Sequence, residues 1–276
     1  MKHAKTSHNN AAQQKSDQRA LPGLHHPYFW RSLSLVIVFG LWEVEGTFGP
    51  NLAVPTFSAT VGALGSMILD GSLLEAYVET LQPLIVGLFL SLTIGVGCGV
   101  AIGLSRTLEW FTLVVFISLQ AAPMAAVIPV ITFVYGIGFA AKVAAVFLLA
   151  APGIVLNSYQ GVRQVNTSLI QMSQAFLANR WQQIFKVILP AASGMMIASV
   201  RMGLAAAFVG IILAELLITP TGLGDLITYN QSMGEYARMY ATICSLVIVA
   251  TLSISLLQWV EKAYSHSRST EGKTYA

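Results

Sequence analysis

Long apolar runs alternate with short polar interruptions along the chain. The runs lie at 30–46, 81–104, 110–135, 139–160, 187–218 and 239–260. Their lengths are close to the ~20 residues that a helix needs to cross a bilayer. The pattern predicts an all-α polytopic membrane protein with about six transmembrane helices. The first run is short and contains Glu43, and the fifth should tilt, bend or project beyond the bilayer.

Two stretches should depart from straight spanning helices. Between the first two spans, a helical spacing of apolar residues ends at Asp70-Gly71, which predicts one or two short amphipathic helices as a packing connector on the outer face. In the third run, Pro123 and Pro129 should bend the helix and free backbone carbonyls. The bent span either lines a path or is a packing irregularity. In the connector between the first two spans, the apolar residues at helical spacing are Ala59, Leu64, Met67 and Ile68.

The Lys and Arg residues fall on alternate loops of this pattern. Most of them lie on the side of the N-terminus, and cytoplasmic loops carry an excess of Lys and Arg. Both termini are therefore predicted to be cytoplasmic, with Lys142 and Arg238 outside and Arg201 within the membrane. The predicted cytoplasmic residues are Lys2, Lys5, Lys15, Arg19, Arg31, Arg106, Arg163, Arg180, Lys186, Lys262, Arg268 and Lys273.

The composition agrees with a membrane location. Of the 276 residues, 55% are hydrophobic and 10% are charged, against about 25% charged in an average soluble domain. Residues 1–28 are predicted to be a disordered cytoplasmic tail, retained because they lack the features of a signal peptide. Residues 29–263 form the transmembrane domain, and 264–276 form a second cytoplasmic tail.

Several kinds of chemistry are disfavoured. Cys98 and Cys244 lie in apolar runs without disulfide or metal spacing, so they are interpreted as packing residues. All five histidines lie in the terminal segments, so we expect no catalytic site and no metal site. No phosphate-binding loop of the G-x-x-x-x-G-K-[ST] type occurs. We expect no cofactor and no nucleic-acid partner.

One polar interruption, residues 166–190, has the pattern of an amphipathic helix. Asn166 is a suitable N-cap for a helix that begins at about Thr167. Leu169, Met172 and Phe176 then form one apolar stripe. A second run contains Trp181, Ile184 and Phe185, with Arg180 and Lys186 near the headgroups and Pro190 in the first turn of the next span. The segment either lies in the headgroups or docks to a partner protein.

Polar residues within the spans are candidates for a translocation path. Arg201 follows Pro190 by 11 positions, which is ~16 Å along a helix and near the middle of the bilayer. It either attracts an anion or is neutralised by Glu215, Glu43 or backbone carbonyls. Gln120 and Asn157 are weaker candidates, and Glu215 is interpreted as a structural or gate residue.

Several motifs, in a fixed order and spacing, resemble those of permease subunits of ATP-binding cassette importers, in the nitrate, sulfonate, taurine and bicarbonate branch. The family has a loop E-A-A-x-x-x-G followed by L-P, and the likeness covers roughly residues 30–262. The matching elements are Gln171-Met172-Ser173 through Leu177, Arg180-Trp181-Gln182, Leu189-Pro190, Asn157-Ser158-Tyr159-Gln160-Gly161-Val162-Arg163, Pro123, Ile128-Pro129, Tyr135-Gly136-Ile137-Gly138, Arg201-Met202-Gly203-Leu204, Ala214-Glu215-Leu216 and Gly222-Leu223-Gly224.

This resemblance implies a type I ABC importer permease fold in the cell inner membrane. Its partners would be ABC ATPase subunits, a second permease subunit (identical or different), an extracytoplasmic substrate-binding protein and membrane lipid. The loop at about 163–186 would be the helix that couples the permease to the ATPase. The coupling residues would be Asn166, Leu169, Gln171, Met172, Phe176, Leu177, Arg180 and Trp181. A small anion or sulfonate is favoured as the solute.

The loop departs from the family pattern in its acid and its glycine. Gln171 replaces the family's glutamate, Met172 and Ser173 replace its alanines, and Leu177 replaces its glycine. Because glycine permits a turn between two short helices, Leu177 predicts a more continuous helix. Docking is then altered, or the chain pairs with a more typical permease in a heterodimer, or the subunit is degenerate.

Two other functions compete with that of an importer permease. A secondary transporter or channel would be expected to show an internal repeat and ionisable coupling groups, and neither is evident. An intramembrane enzyme would need clustered chemical groups at membrane depth, which the positions of the histidines do not provide.

Overall fold

The computed structural model describes residues 27–51, 53–218 and 220–271. The described part is almost entirely helical and contains no β-strand, which confirms the all-α prediction. Residues 1–26 of the predicted N-terminal tail and 272–276 of the predicted C-terminal tail lie outside the described residues, whereas 264–271 belong to the last helix. The helices are α1 (Pro27–Phe48), α2 (Phe57–Leu69), α3 (Ser72–Leu104), α4 (Arg106–Ala121), α5 (Met124–Tyr135), α6 (Phe139–Arg163), α7 (Thr167–Ala175), α8 (Arg180–Gln183), α9 (Leu189–Leu217), α10 (Leu223–Ser232) and α11 (Tyr236–Glu271).

The chain divides into two units at Gly62, within α2. In the first unit, the Glu43 carboxylate accepts hydrogen bonds from the backbone N–H of Ser58 at 2.9 Å and from its hydroxyl at 2.7 Å. The indole of Trp42 donates to the carbonyl of Pro55 at 3.0 Å. Glu43 therefore holds the first turn of α2, and the predicted connector is a single helix of 13 residues.

The second unit is built around α3, α6 and α9. A buried apolar cluster joins these helices through Leu84 of α3, Ile154 of α6 and Ile211 of α9. All three side chains are nearly or completely inaccessible. α3 and α6 run in the same direction and α9 runs in the opposite direction. The start of α3, the start of α6 and the end of α9 thus meet at one end of the bundle, named here the Glu215 end; the opposite end is the Arg163 end.

A row of glycines lets α3 approach α6 closely. A Cβ added at Gly99 would lie 2.6 Å from the Cβ of Ser158 and 2.6 Å from the carbonyl oxygen of Val155. Small residues at such positions permit the close backbone approach that stabilises helix pairs in lipid. The other α3 glycines that contact α6 in this way are Gly87, Gly95 and Gly103.

The described residues contain fewer membrane-spanning helices than the six that the sequence predicted. Four helices are long and apolar enough to cross a bilayer, and a fifth crossing results if α4 and α5 form one broken span. α1 covers the first predicted span but is not among them. It carries Arg31, Glu43 and Glu45 within 22 residues, and charges are costly in hydrocarbon.

The predicted bend of the third span is much sharper than a proline kink. α4 and α5 are separated by a turn that bends the path of the chain by 103°. Ala122, which precedes Pro123, is extended with φ −67° and ψ 140°, as expected for a residue before proline. Pro129 lies inside α5 without breaking it. The break therefore occurs at Ala122-Pro123.

The fifth span is longer than predicted because α8 continues into α9 without a break. Residues Arg180–Leu217 form one helix of 38 residues that contains a π-helical turn at Ile184–Ile188. Leu189 donates its N–H to the carbonyl of Ile184, five residues earlier. Pro190, in the first turn of α9, has no N–H to donate. The π turn provides an alternative hydrogen-bond pattern immediately before it.

Candidate functional site

The predicted polar segment is a helix–turn–helix at the Arg163 end, consisting of α7, a turn and α8. Asn166 is the N-cap of α7, and its side chain accepts the N–H of Ser168 at 2.9 Å. Asn179 is the N-cap of α8 and forms a capping box, in which it accepts the N–H of Gln182 at 2.8 Å and donates its own N–H to the Gln182 side chain at 3.0 Å. Each helix thus has a well-defined start, as the sequence predicted for Asn166.

The prediction that Leu177 makes this segment a more continuous helix is wrong. α7 ends at Ala175, and Leu177 adopts a left-handed conformation with φ 56°. Ala178 donates to the carbonyl of Ser173 at 3.0 Å, and Leu177 donates to that of Gln174 at 2.9 Å. These two bonds form a Schellman motif, the helix end that normally requires glycine. The family's turn is therefore retained with leucine in the strained position.

Replacing Leu177 by glycine is expected to stabilise the segment. A left-handed conformation costs a residue with a Cβ roughly 1–2 kcal/mol, and Leu177 is 92% exposed, so it loses almost no packing. Leu177→Gly should raise the thermal unfolding temperature of the purified protein, whereas Leu177→Ala, which keeps the Cβ, should not. Equal unfolding temperatures for the two variants would contradict the strain argument.

The apolar stripe of α7 points away from the protein. Leu169 is 38% exposed, Met172 is 49% exposed and Phe176 is 80% exposed. Trp181 of α8 is also exposed, and its ring stacks on that of Phe185 with 5.9 Å between centroids. The stripe was predicted, and the structure leaves it uncovered by the described residues.

The other side of the segment is fixed to the bundle. Ser173 is buried, and its hydroxyl accepts a hydrogen bond from Gln183 at 2.9 Å. A buried apolar cluster of Val162, Val165, Ile188 and Ala192 lies beside it. The segment is therefore held in a defined orientation on the ends of α6 and α9.

An ion pair also connects two helices at the Arg163 end. Arg163, in the last turn of α6, pairs with Glu109 in the first turn of α4. The same carboxylate accepts the Tyr159 hydroxyl at 2.6 Å. Two residues of the N-T-Y-x-G-V-R-like motif thus connect α6 to α4, directly before the helix–turn–helix begins.

The Glu215 end contains a buried ion pair that the sequence analysis did not identify. The side chains of Lys142 and Glu215 are 4% and 0% exposed, and Lys142 Nζ lies 2.9 Å from Glu215 Oε1. The other two N–H groups of Lys142 donate to the Thr221 hydroxyl at 2.9 Å and to its carbonyl at 3.1 Å. All three donors of the ammonium are used, which compensates part of its desolvation.

The carboxylate of Glu215, which belongs to α9, also caps the N-terminus of α10. The N-cap position of α10 is Gly222, which has no side chain to offer. Instead, Glu215 Oε2 accepts the N–H of Gly224 at 3.0 Å, and the Thr80 hydroxyl accepts the N–H of Leu223 at 2.9 Å. Thr80 in turn donates to Glu215 at 2.9 Å. A carboxylate at a helix N-terminus is also favoured by the helix dipole.

The glycines of the G-L-G element make room for this carboxylate. Gly222 has φ +89°, and a Cβ there would lie 2.2 Å from Glu215 Oε1. A Cβ at Gly224 would lie 2.4 Å from the Cβ of Glu215. The A-E-L and G-L-G elements, recognised separately in the sequence, therefore form one structural site with Lys142 and Thr80.

The predicted partners of Arg201 are wrong. Glu215 pairs with Lys142 and Glu43 binds Ser58, whereas Arg201 lies 3.5 Å from Glu261 of α11. Arg201 lies about 18 Å along α9 from the first residue of that helix. The Arg201 side chain is 39% exposed.

The other candidate path residues do not form one cluster in the described part of the chain. Asn157 lies beside the residue that follows Arg201, with its Nδ2 3.3 Å from the sulfur of Met202. Gln120 is exposed near the bend between α4 and α5. Glu215 is completely buried at the end of the bundle.

Lys142, the partner of Glu215 that was not predicted, had a weak signal in the sequence: it is a lone lysine at the start of a long apolar run.

A solvent-exposed ion pair lies at the Glu215 end. Arg238 at the start of α11 contacts Asp70 at 2.5 Å. Hydrogen bonds from Ser72, together with Arg238, lower the pKa of Asp70. The predicted break at Asp70-Gly71 is thus a turn that also connects the start of α3 to α11.

Membrane-length apolar helices packed through small residues define a polytopic integral membrane protein. Residues 91–266 match the family of binding-protein-dependent transport system inner membrane components, and the chain belongs to that family. It is therefore the permease component of an importer, as the motif resemblance predicted.

Two curated relatives agree with the predicted branch. The chain is 26% identical over 247 residues to the putative aliphatic sulfonates transport permease protein SsuC of Bacillus subtilis, with 88% of this chain and 90% of the relative covered. It is 26% identical over 188 residues to the taurine transport system permease protein TauC of Escherichia coli, with 68% and 67% covered.

The fold is similar to that of a solved importer. A chain of the inward-facing MetNI methionine ABC transporter superimposes with a TM-score of 0.57 and 22% identity, covering 69% of this chain and 93% of that chain. The match supports the type I permease fold.

Proposed function

We propose that this chain is the permease subunit of an ATP-driven importer and that the helix–turn–helix at the Arg163 end couples it to a separate ATPase. The exposed apolar stripe of α7 is the observation that carries the proposal. A helix that only lay in the headgroups would not need a strained Schellman turn, whereas a rigid docking element benefits from a fixed shape.

The charge distribution supports a cytoplasmic position for this end. Arg106, Arg163, Arg180 and Lys186 all lie at the Arg163 end, and only Lys142 and Arg238 lie at the opposite end of the described bundle. By the positive-inside rule the Arg163 end faces the cytoplasm. The Glu215 end then faces outward, where a substrate-binding protein would deliver the solute.

The proposed solute is a small organic sulfonate or a similar anion. The named relatives are permeases for sulfonates and taurine. Arg201 is a half-exposed cation near the middle of the long helix Arg180–Leu217. A cation at membrane depth attracts an anion in a water-filled path, and two copies of the chain, or this chain with a related permease, would enclose that path.

Truncating Phe176 tests the coupling role. Exposed aromatic anchors at protein interfaces typically contribute at least ~1 kcal/mol, so Phe176→Ala should weaken ATPase association about fivefold or more. The measurement is ATPase co-purification with the tagged permease, together with solute-stimulated ATP hydrolysis in liposomes. Membrane insertion should be unchanged because no spanning helix is altered.

Phe111→Ala is the matched control, since Phe111 of α4 is 77% exposed and Phe176 is 80% exposed. The control should retain the ATPase. If Phe176→Ala keeps full ATPase association and coupled hydrolysis, α7 is an interfacial helix and the coupling proposal is wrong.

A further inference from the structure

A groove on the outside of α3 and α6 changes from polar to apolar along its length. Near the Glu215 end it is a crevice of about 240 Å³ lined by Glu79, Gln82, Phe139, Lys142 and Thr221. It continues past Phe139, which lines both parts, into an apolar cavity of about 430 Å³ that includes Leu90 and Ile94. The order of the residues along α3 is therefore acid, amide, then aliphatic.

The polar part has one uncompensated charge. Lys142 forms its floor, but all three of its donors are used by Glu215 and Thr221. Glu79 is exposed and forms no ion pair with the described residues. Gln82 lies one turn further along α3, and Phe139 offers an aromatic ring that is 51% exposed. A carboxylate, an amide and an aromatic face together are suited to an organic ammonium group.

The length of the groove matches one leaflet of a bilayer. Glu79 and Ile94 are 15 positions apart, which is ~22 Å on a helix. A leaflet including its headgroups is about 20–22 Å thick. The polar part also lies at the end of the bundle, where headgroups are expected, and the apolar part lies toward the middle, where acyl chains are expected.

We propose that this groove is a specific site for a phospholipid with an ammonium headgroup. The ammonium would bind the Glu79 carboxylate over the ring of Phe139, and an acyl chain would lie along Leu90 and Ile94. The negative charge of Glu79 favours lipids with an ammonium group over lipids with a net anionic headgroup, because it would repel the latter. The three-helix core behind the groove provides the rigid wall that such a site needs.

The test uses the transporter purified through this chain from liposomes of equimolar phosphatidylethanolamine, phosphatidylcholine and phosphatidylglycerol. Retained lipids are counted by native mass spectrometry. The unaltered protein should retain the two ammonium lipids about fivefold over phosphatidylglycerol, a difference typical of one charge-assisted contact at an interface. Glu79→Gln should abolish that preference.

Glu75→Gln is the matched control. Glu75 is an exposed acid one helical turn earlier on α3 and does not line the groove, so its replacement should leave the preference unchanged. Retention of phosphatidylglycerol equal to that of the ammonium lipids in the unaltered protein would overturn the proposal. So would an equal loss of preference in both variants, or a Glu79→Gln variant that keeps its preference and instead loses association between two permease copies.

Discussion

Replacing Lys142 by methionine is expected to prevent the protein from accumulating as a folded chain. The substitution removes the cation from a completely buried ion pair and leaves the Glu215 carboxylate without charge compensation. Breaking a buried pair in this way typically costs about 3–5 kcal/mol. The measurement is the yield of monodisperse protein in detergent and its thermal unfolding temperature, followed by tryptophan fluorescence.

The exposed pair at the same end is the control. Arg238→Met breaks a contact with Asp70 in which both side chains are more than a third exposed, and exposed pairs contribute about 0–1 kcal/mol. Its effect should be small. Combining Lys142→Met with Glu215→Gln should recover part of the loss, because the amide oxygen can still accept the N–H of Gly224 without burying a charge. A Lys142→Met variant as stable as the Arg238→Met variant would refute the structural role of the pair.

Adding one methyl group at Gly99 is expected to separate α3 from α6. A Cβ there would lie 2.6 Å from a backbone carbonyl and 2.6 Å from the Cβ of Ser158, and neither atom belongs to the end of a flexible side chain. Overpacking of this kind costs typically 1–3 kcal/mol. Gly99→Ala should therefore lower the unfolding temperature clearly.

Gly97, two residues earlier in the same run, provides the control. A Cβ at Gly97 meets nothing within 4 Å, and alanine is the better helix former by roughly 1 kcal/mol. Gly97→Ala should be neutral or slightly stabilising. If Gly97→Ala and Gly99→Ala shift the unfolding temperature equally, the loss reflects membrane insertion or lipid contact rather than the α3–α6 contact.

Structural features that depend only on neighbouring residues were predicted well. Asn166 begins a helix because its side chain can satisfy a nearby backbone N–H, and this requires only the following residues. The bend predicted at Pro123 likewise has a local cause, because the residue before a proline is biased toward an extended conformation. Four of the spans, and a fifth if α4 and α5 form one broken span, were found because their length and apolarity are properties of single segments.

Features that depend on contacts between distant segments were not predicted. The pairing of Lys142 with Glu215 joins residues 73 positions apart, and nothing in either segment specifies the partner. Glu215 and Glu43 were the two acids named as alternatives for neutralising Arg201, and Glu261 was not among them. α11 continues through Glu271, which places Glu261 within reach.

Leu177 shows a different limit of sequence reasoning. Its intrinsic preference favours a longer helix, but the hydrogen bonds of the Schellman motif, the burial of Ser173 and the N-cap that Asn179 provides for α8 together outweigh that preference. A residue that is unfavourable by itself was therefore interpreted as a change of structure. The turn was in fact maintained by its neighbours.

The capping of α10 by Thr80 and Glu215 has a consequence for biosynthesis. A ribosome delivers α3, α6 and α9 before α10, so every group that caps α10 is already in the membrane when α10 emerges. An isolated α10, ten residues long and without a cap of its own, is too short to be stable alone. Its folding thus depends on the correct prior docking of the three spans. Chains whose spans fail to assemble are therefore expected to present α10 to cellular proteases as an unfolded segment.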